Sequence, residues 1–256
     1  MSDHAALLEH YRREGWARLG PVLSAEELAA LSDRADALML GEVQIPGLFF
    51  QLDSPTGRYE DLEYGLGYRG PRLDYRKLEK LEKDPLFWAL IRRPLFGEIA
   101  QALIGPEVAM YRAILMNKPA GGGTPLPWHQ DGGRLWGLSK DPELQIWIAL
   151  DDAPSGGGAV WVVPGSHRGG LATPLGGLIP REKAAEMEAD AKAVELPARA
   201  GEVLLLHNYT WHKSDPSTHG RRRRAISVAY MSGDVRCLRK KGTPRSFVRV
   251  FGAEVR

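Results

Sequence analysis

At 256 residues, 43% hydrophobic and 26% charged, the chain has the length and composition of one large globular domain with a substantial core. Its 34 Lys+Arg against 32 Asp+Glu leave a net charge of +2, and the single Cys237 excludes an internal disulfide framework and any zinc site built on paired thiolates. No apolar run approaches the ~20 residues that a membrane helix needs, and the charged, helix-patterned N-terminus lacks the build of a signal peptide, so a cytoplasmic protein is expected.

Helical signals dominate the first hundred residues. His4 and His10 fall in a helix-patterned stretch and are expected at its surface. Ser24-Ala25-Glu26-Glu27 has the form of a capping box, and Leu28, Leu31, Ala35 and Leu38 follow at helical spacing. The aromatic-rich stretch 47–71 reads as one or two strands with loops. Asp84-Pro85 joins an N-cap to a proline at the first helical position and opens a helix toward Arg92; Pro94 interrupts it, and a second helix ends at Gly105. From residue 107 the texture changes. VAMYRAILMNK, LQIWIALDD, AVWVVPG, AVELPA, EVLLLHNYT, RRAISVAYM and SFVRVFG are short, β-branched or aromatic, and separated by turn residues, with one helix over about Arg181 to Asp190 between them. The pattern predicts a single α+β domain, helical over about 1–105, with a jelly-roll-like strand body over about 106–256.

With seven histidines in the chain, each can be weighed singly. His167 sits in a turn after Pro164-Gly165-Ser166, where a structural hydrogen bond is expected, and His219 lies in a polar loop. His129 belongs to Trp128-His129-Gln130-Asp131. On an extended segment, residues two apart project to the same side, so an imidazole and a carboxylate can reach one metal ion together. Two histidines and one carboxylate on one face are the donor set of non-heme iron oxygenases. The third donor would come from His207 or His212. They are five apart and would face opposite sides of a continuous strand, so the spacing leaves the choice open.

The near-zero net charge hides a split, because residues 201–256 hold 12 Lys+Arg against four acidic residues. Four of the arginines form the run Arg221 to Arg224. Alternation places Arg223, Ala225, Ser227 and Ala229 on one strand face and Arg224, Ile226, Val228 and Tyr230 on the other. An arginine followed by small residues on its own face fits a pocket floor holding a guanidinium for a carboxylate; the other three arginines are expected at a solvated strand end. The run is too local for a nucleic-acid surface, which would spread basic residues among aromatics.

Several stretches stand in an order and spacing that resemble the phytanoyl-CoA dioxygenase family of Fe(II)- and 2-oxoglutarate-dependent oxygenases. They are Met116-Asn117-Lys118-Pro119, Pro127-Trp128-His129-Gln130-Asp131, Trp147-Ile148-Ala149-Leu150-Asp151-Asp152, Gly157-Gly158, Val163-Pro164-Gly165-Ser166-His167, Ala200-Gly201-Glu202, His212-Lys213-Ser214 and Arg223-Arg224-Ala225-Ile226-Ser227. The resemblance covers roughly residues 105–232. It implies a double-stranded β-helix (a cupin-like jelly roll) with flanking N-terminal helices. It also implies Fe(II), 2-oxoglutarate as cosubstrate and O2, with His129, Asp131 and His212 as metal ligands. By the same resemblance Arg223 would pair with the distal carboxylate of 2-oxoglutarate, Ser214 would hydrogen-bond it, and Trp147 and Ile114 would line the pocket; Gln51 is the candidate for a further N-terminal contact. The activity implied is oxidation of an unactivated C–H bond in a small-molecule metabolite, with release of succinate and CO2. Related halogenases carry Gly or Ala where Asp131 stands, which points to a hydroxylase. Arg134, Trp136 and Tyr64 are candidates for substrate contact, with Phe49, Phe50 and Tyr68 beside them. Competing readings are a jelly roll that binds a ligand without catalysis and a zinc hydrolase on the same triad, the latter leaving Arg223 and Ser214 without a purpose.

Overall fold

A computed structural model describes residues 4–239 and 245–253 of the chain. The expected capping box is present at the start of the longest helix. Helix α1 (Ala5–Glu14) leads through Gly15 into strand β1 (Trp16–Pro21), and helix α2 (Ala25–Leu40) follows. The Glu27 amide donates to Ser24 Oγ at 3.1 Å while Glu27 Oε2 accepts from the Ser24 amide at 2.9 Å. Strands β2 (Phe49–Leu52) and β3 (Tyr75–Glu79) then flank a long irregular segment. Asp84 caps helix α3 (Pro85–Ile91), and Pro94 opens helix α4 (Pro94–Ile104).

The strand body comprises β4 (Val108–Lys118), β5 (Leu126–Gln130), β6 (Leu144–Ala149), β7 (Val160–Val162) and β8 (Gly177–Leu178). After the short helices α5 (Arg181–Glu186) and α6 (Ala189–Lys192) come β9 (Val194–Leu196), β10 (Glu202–Leu206), β11 (His212–Ser214), β12 (Arg223–Ser232) and β13 (Val248–Phe251). They form two antiparallel sheets. The larger has the order β1-β10-β6-β12-β4-β3-β2, with β13 also on β4; the smaller is β8-β5-β11-β7-β9. This is the jelly roll that the strand series predicts.

Three features depart from expectation. The helical N-terminal part also supplies β1, β2 and β3 to the large sheet, so residue 105 does not divide helix from sheet. The helix expected over Arg181 to Asp190 breaks in two at Glu188, whose φ of +55° no continuous helix contains. The arginine run is also not a solvated strand end throughout. Arg224 is buried, its Nε and Nη2 on the Asp151 carboxylate at 2.9 and 2.8 Å and its Nη1 on Asp36 of α2 at 2.9 Å; Arg222 binds the same Asp36 through both Nη atoms at 2.7 Å. Lys240, Lys241 and Arg256 of the basic segment lie outside the described residues.

The main core fills the space between the large sheet and the helices. Ile226, Val228 and Tyr230 of β12 pack there with Leu38, Phe87, Phe96 and Ile99. The opposite face of the large sheet meets the small sheet, where Trp147, Ala149, Val160, Leu206 and Ala225 form a second cluster. Alternation along β12 therefore assigns one face to the helices and the other to the space between the sheets.

His207 lies between β10 and β11, on neither strand. It is mostly buried, accepts the Tyr209 amide at Nδ1 (3.0 Å), and faces His167 with ring centroids 4.9 Å apart. Burial first and the neighbouring His167 second lower its pKa to about 4, against an ordinary value of 6.5. The unfolded chain therefore takes up a proton between pH 6.5 and 4 that the folded chain refuses, and stability falls as pH is lowered through that window. In His207→Asn the amide oxygen can accept the same Tyr209 amide without titrating. We expect its urea-unfolding free energy to fall less than that of the wild type between pH 7 and pH 5, the reverse order excluding His207 as a contributor.

Candidate metal centre and cosubstrate pocket

Strands β5 and β11 are antiparallel neighbours in the small sheet, and their register places His212 directly opposite His129. The ring centroids are 3.9 Å apart. Each imidazole has its Nδ1 against the carbonyl two residues earlier, Pro127 O at 2.9 Å for His129 and Thr210 O at 2.8 Å for His212. A carbonyl only accepts, so both Nδ1 atoms carry the proton, and both Nε2 lone pairs are directed away from the backbone and available. Asp131 lies one residue beyond β5. Its backbone is fixed by two bonds to Asn208, the Asp131 amide to Asn208 O at 2.9 Å and Asn208 Nδ2 to Asp131 O at 3.0 Å. One donor atom from each of His129, Asp131 and His212 falls within 4.8 Å of the other two, and no other such group of three exists among the described residues.

The protonation states suit cation binding. Burial first and then the adjacent His212 lower the pKa of His129 to about 3, which keeps its imidazole neutral. Burial alone would raise the Asp131 carboxyl, but the Arg112 guanidinium and the two imidazoles outweigh it and hold the pKa well below the ordinary carboxylate range. A His129 imidazole kept neutral and an Asp131 carboxylate kept ionised, both buried beside His212, are ready to receive a divalent ion.

A cavity of about 120 Å³ opens over the triad, with Ile114, Trp147, Ser214, Tyr59, Gln145 and Arg112 in its lining. A smaller recess beside it is lined by Ser214, Arg223, Lys118, Thr124, Met116 and Arg76, and Ser214, Met116 and Arg76 belong to both. Arg223 is 1% exposed, with its guanidinium 6.0 Å over the Trp147 ring, and makes no ion pair within 4.0 Å among the described residues. Its Nε and Nη1 and the Ser214 Oγ are buried without any hydrogen-bond partner. Lys118 is also buried, with Nζ on the carbonyls of Thr124 and Ser214 at 3.0 and 3.4 Å. Burial lowers both pKa values, Arg223 to about 10 and Lys118 well below its ordinary value, with Arg223 a further cause for the lysine. A buried guanidinium without an ion pair, a buried amine and an unpartnered hydroxyl are costly unless an anion joins them. Gly158 makes the crowding feasible: it sits at φ +78°, and a Cβ there would lie 2.8 Å from Lys118 Cδ.

Other residues expected at the site lie elsewhere. Gln51 is buried but absent from the cavity wall; its amide nitrogen donates to Glu63 O, and its oxygen accepts from Arg76, which does line the cavity. Tyr64 is 63% exposed, and Tyr59 takes the lining position from the same segment. Arg134 is exposed, with its amide on Pro174 O. Trp136 stacks on Tyr111 at 4.3 Å and reaches the site only through Arg112, whose guanidinium lies 4.7 Å over its ring. Phe50 packs against Tyr68 and Tyr75. Conversely, Arg112, Lys118 and Gln145 are missing from the expected set, although each lies two or four residues from Ile114 or Trp147 on the same strand and so shares its face. A polar residue inside an otherwise apolar strand, in phase with an expected lining residue, is the signal that marks them.

Two antiparallel sheets, with this triad and a cationic recess beside it, make up the jelly-roll site. The chain belongs to the phytanoyl-CoA dioxygenase (PhyH) family, whose model matches residues 11–225. Among curated proteins it is 29% identical over 157 residues to phytanoyl-CoA dioxygenase domain-containing protein 1 of Bos taurus, covering 58% of this chain and 53% of that one. The match thus spans about half the length of that relative. The L-proline trans-4-hydroxylase of Streptomyces griseoviridis is 25% identical over 256 residues, covering 90% of this chain and 88% of the relative. Among solved structures, the epimerase SnoN in complex with Fe3+, alpha ketoglutarate and nogalamycin RO superposes with a TM-score of 0.72 at 19% identity, covering 96% of this chain and 97% of that one. No helix among the described residues is long and apolar enough to cross a membrane.

Proposed function

We propose that the chain is an Fe(II)- and 2-oxoglutarate-dependent dioxygenase that hydroxylates an unactivated C–H bond of a small-molecule metabolite. The observation that carries this reading is the pairing of the buried His129, Asp131 and His212 donors with an adjoining recess whose Arg223 and Ser214 have polar atoms left without partners. Iron would be held by the two Nε2 atoms and the Asp131 carboxylate. The distal carboxylate of 2-oxoglutarate would take Arg223, Ser214 and Lys118, with its chain between Ile114 and Trp147.

When bound, the ion and 2-oxoglutarate together supply oxidative decarboxylation coupled to activation of O2, yielding succinate and CO2. The protein's own part is placement. Arg223, with the Lys118 amine beside it, offers a fixed cationic end that a monocarboxylate oxo-acid cannot fill. Trp147 and Ile114 exclude water along the cosubstrate. Tyr59, Arg112 and Gln145 border the remaining space, where the metabolite would lie. A hydroxylase agrees with the carboxylate at position 131 and with the similarity to the proline hydroxylase, which extends over most of both chains. The reading leaves no purpose for a hydrolytic zinc centre, because such a site needs no dicarboxylate anchor.

The test is anaerobic addition of 2-oxoglutarate to the Fe(II)-loaded full chain. A weak visible charge-transfer band, and succinate formation on admitting air, are expected. A chain that binds Fe(II) but gives neither would overturn the assignment.

A further inference from the structure

Gln145 stands out as a buried amide in the strand LQIWIA, whose other five residues are apolar and fully covered. Such a group is costly in a strand interior unless all its bonds are made. Here both ends are used: Nε2 donates to Asp131 Oδ2 at 2.7 Å, and Oε1 accepts from the Ser227 hydroxyl at 2.9 Å. The amide orientation follows from chemistry, since an ionised carboxylate only accepts and the nitrogen must therefore face Asp131. The other carboxylate oxygen, Oδ1, lies 3.2 Å from Arg112 Nη2, and that guanidinium rests on the Trp136 ring.

The large sheet explains how both groups reach the same carboxylate. Ala229 of β12 pairs with Arg112 of β4 on one side and with Gln145 of β6 on the other. Arg112, Ala229 and Gln145 thus form one transverse row, and the small central residue leaves room for the two long side chains to reach Asp131. Asp131 itself follows β5, in the opposite sheet.

We propose that Gln145 and Arg112 form a two-point clamp, built on the large sheet and backed by Ser227, that orients the Asp131 carboxylate for metal binding, and that Gln145 is a positioning residue of the metal centre. The inference rests on the reading of His129, Asp131 and His212 as the metal ligands. A clamp of this kind spares the ion the work of ordering a free carboxylate, and outer partners of metal ligands commonly carry a 10–100-fold effect on affinity.

The experiment is anaerobic titration of the metal-free full chain with Co(II), read by calorimetry and by the visible ligand-field spectrum, with thermal melting of each metal-free variant as the folding control. Gln145→Leu and Arg112→Met are each expected to weaken Co(II) binding by about 10–100-fold and to change the shape of the spectrum. Arg112→Lys, which restores a cation, should recover most of the affinity lost in Arg112→Met. Ser227→Ala removes only the backing hydroxyl and should weaken binding by a few-fold, and it carries the test if Gln145→Leu does not fold. Wild-type affinity and spectrum in Gln145→Leu, or in Ser227→Ala where that variant stands in, overturn the clamp. Failure of the underlying reading looks different: the wild-type chain would bind no Co(II), or His212→Ala would bind it as tightly as the wild type.

Discussion

His212→Ala should abolish 2-oxoglutarate turnover and lower metal affinity by more than about 100-fold, the upper range for losing an outer partner alone. The argument is geometric. With His212 gone, the remaining donors come from β5 and the residue just after it, so the ion would lose its only bond to β11. The backbone should tolerate the change, because β11 is paired on both sides, to β5 and to β7. Calorimetric Fe(II) or Mn(II) titration of a variant that melts close to the wild type would check it; retained affinity would remove His212 from the ligand set. His207→Ala makes the contrast, since His207 lies between β10 and β11 and pairs with His167. Metal affinity in that variant should match the wild type.

The second large effect is expected at Arg223. Its guanidinium is fully buried, has no carboxylate within ion-pair distance among the described residues, and leaves two nitrogens without acceptors. Removing one member of a buried charge pair costs on the order of 2–5 kcal/mol of binding. At 1.4 kcal/mol per tenfold, Arg223→Leu should weaken 2-oxoglutarate binding by about 30-fold to 4,000-fold. Metal affinity should stay within a few-fold, because Arg223 does not contact the triad. The leucine also relieves a buried unpaired cation, so the variant without cosubstrate should melt no lower than the wild type. Competition titrations with 2-oxoglutarate separate the two outcomes; a loss of metal and cosubstrate affinity together would mean that Arg223 holds the fold of the recess.

How much of the fold and the site is legible in the sequence depends on the kind of pattern that carries each part. Alternation on β12 is readable because the strand is long and, past the arginines, large residues (Ile226, Val228, Tyr230) alternate with small ones (Ala225, Ser227, Ala229), so the period alone separates Arg223 from Arg224. The capping box at Ser24 and the proline starts at Pro85 and Pro94 are equally local and equally clear. Short strands are not. β5 and β11 have five and three residues, too few for a period, and in the sequence they show only as an extended segment and the end of an apolar run. The odd spacing of His207 and His212 misleads for the same reason: the chain leaves β10 at Leu206 and enters the other sheet at His212, so no continuous strand relates them. The Asp36 partner of Arg222 and Arg224 comes from almost two hundred residues away, and nothing in the arginine run announces it. Gln145 is marked as a lining residue by its phase with Trp147, but its partner Asp131 lies in the other sheet and the sequence does not announce that contact.

The adjacent guanidiniums at the start of β12 also distinguish the native register of that strand from a slipped one. A one-residue slip of this strand would swing Arg223 toward the helix layer and Arg224 toward the recess. The misaligned chain would leave Asp151 without its cation and turn Ile226, Val228 and Tyr230 out of the core. The residue that waits for a cosubstrate and the residue that ties down α2 thereby fix a single register between them.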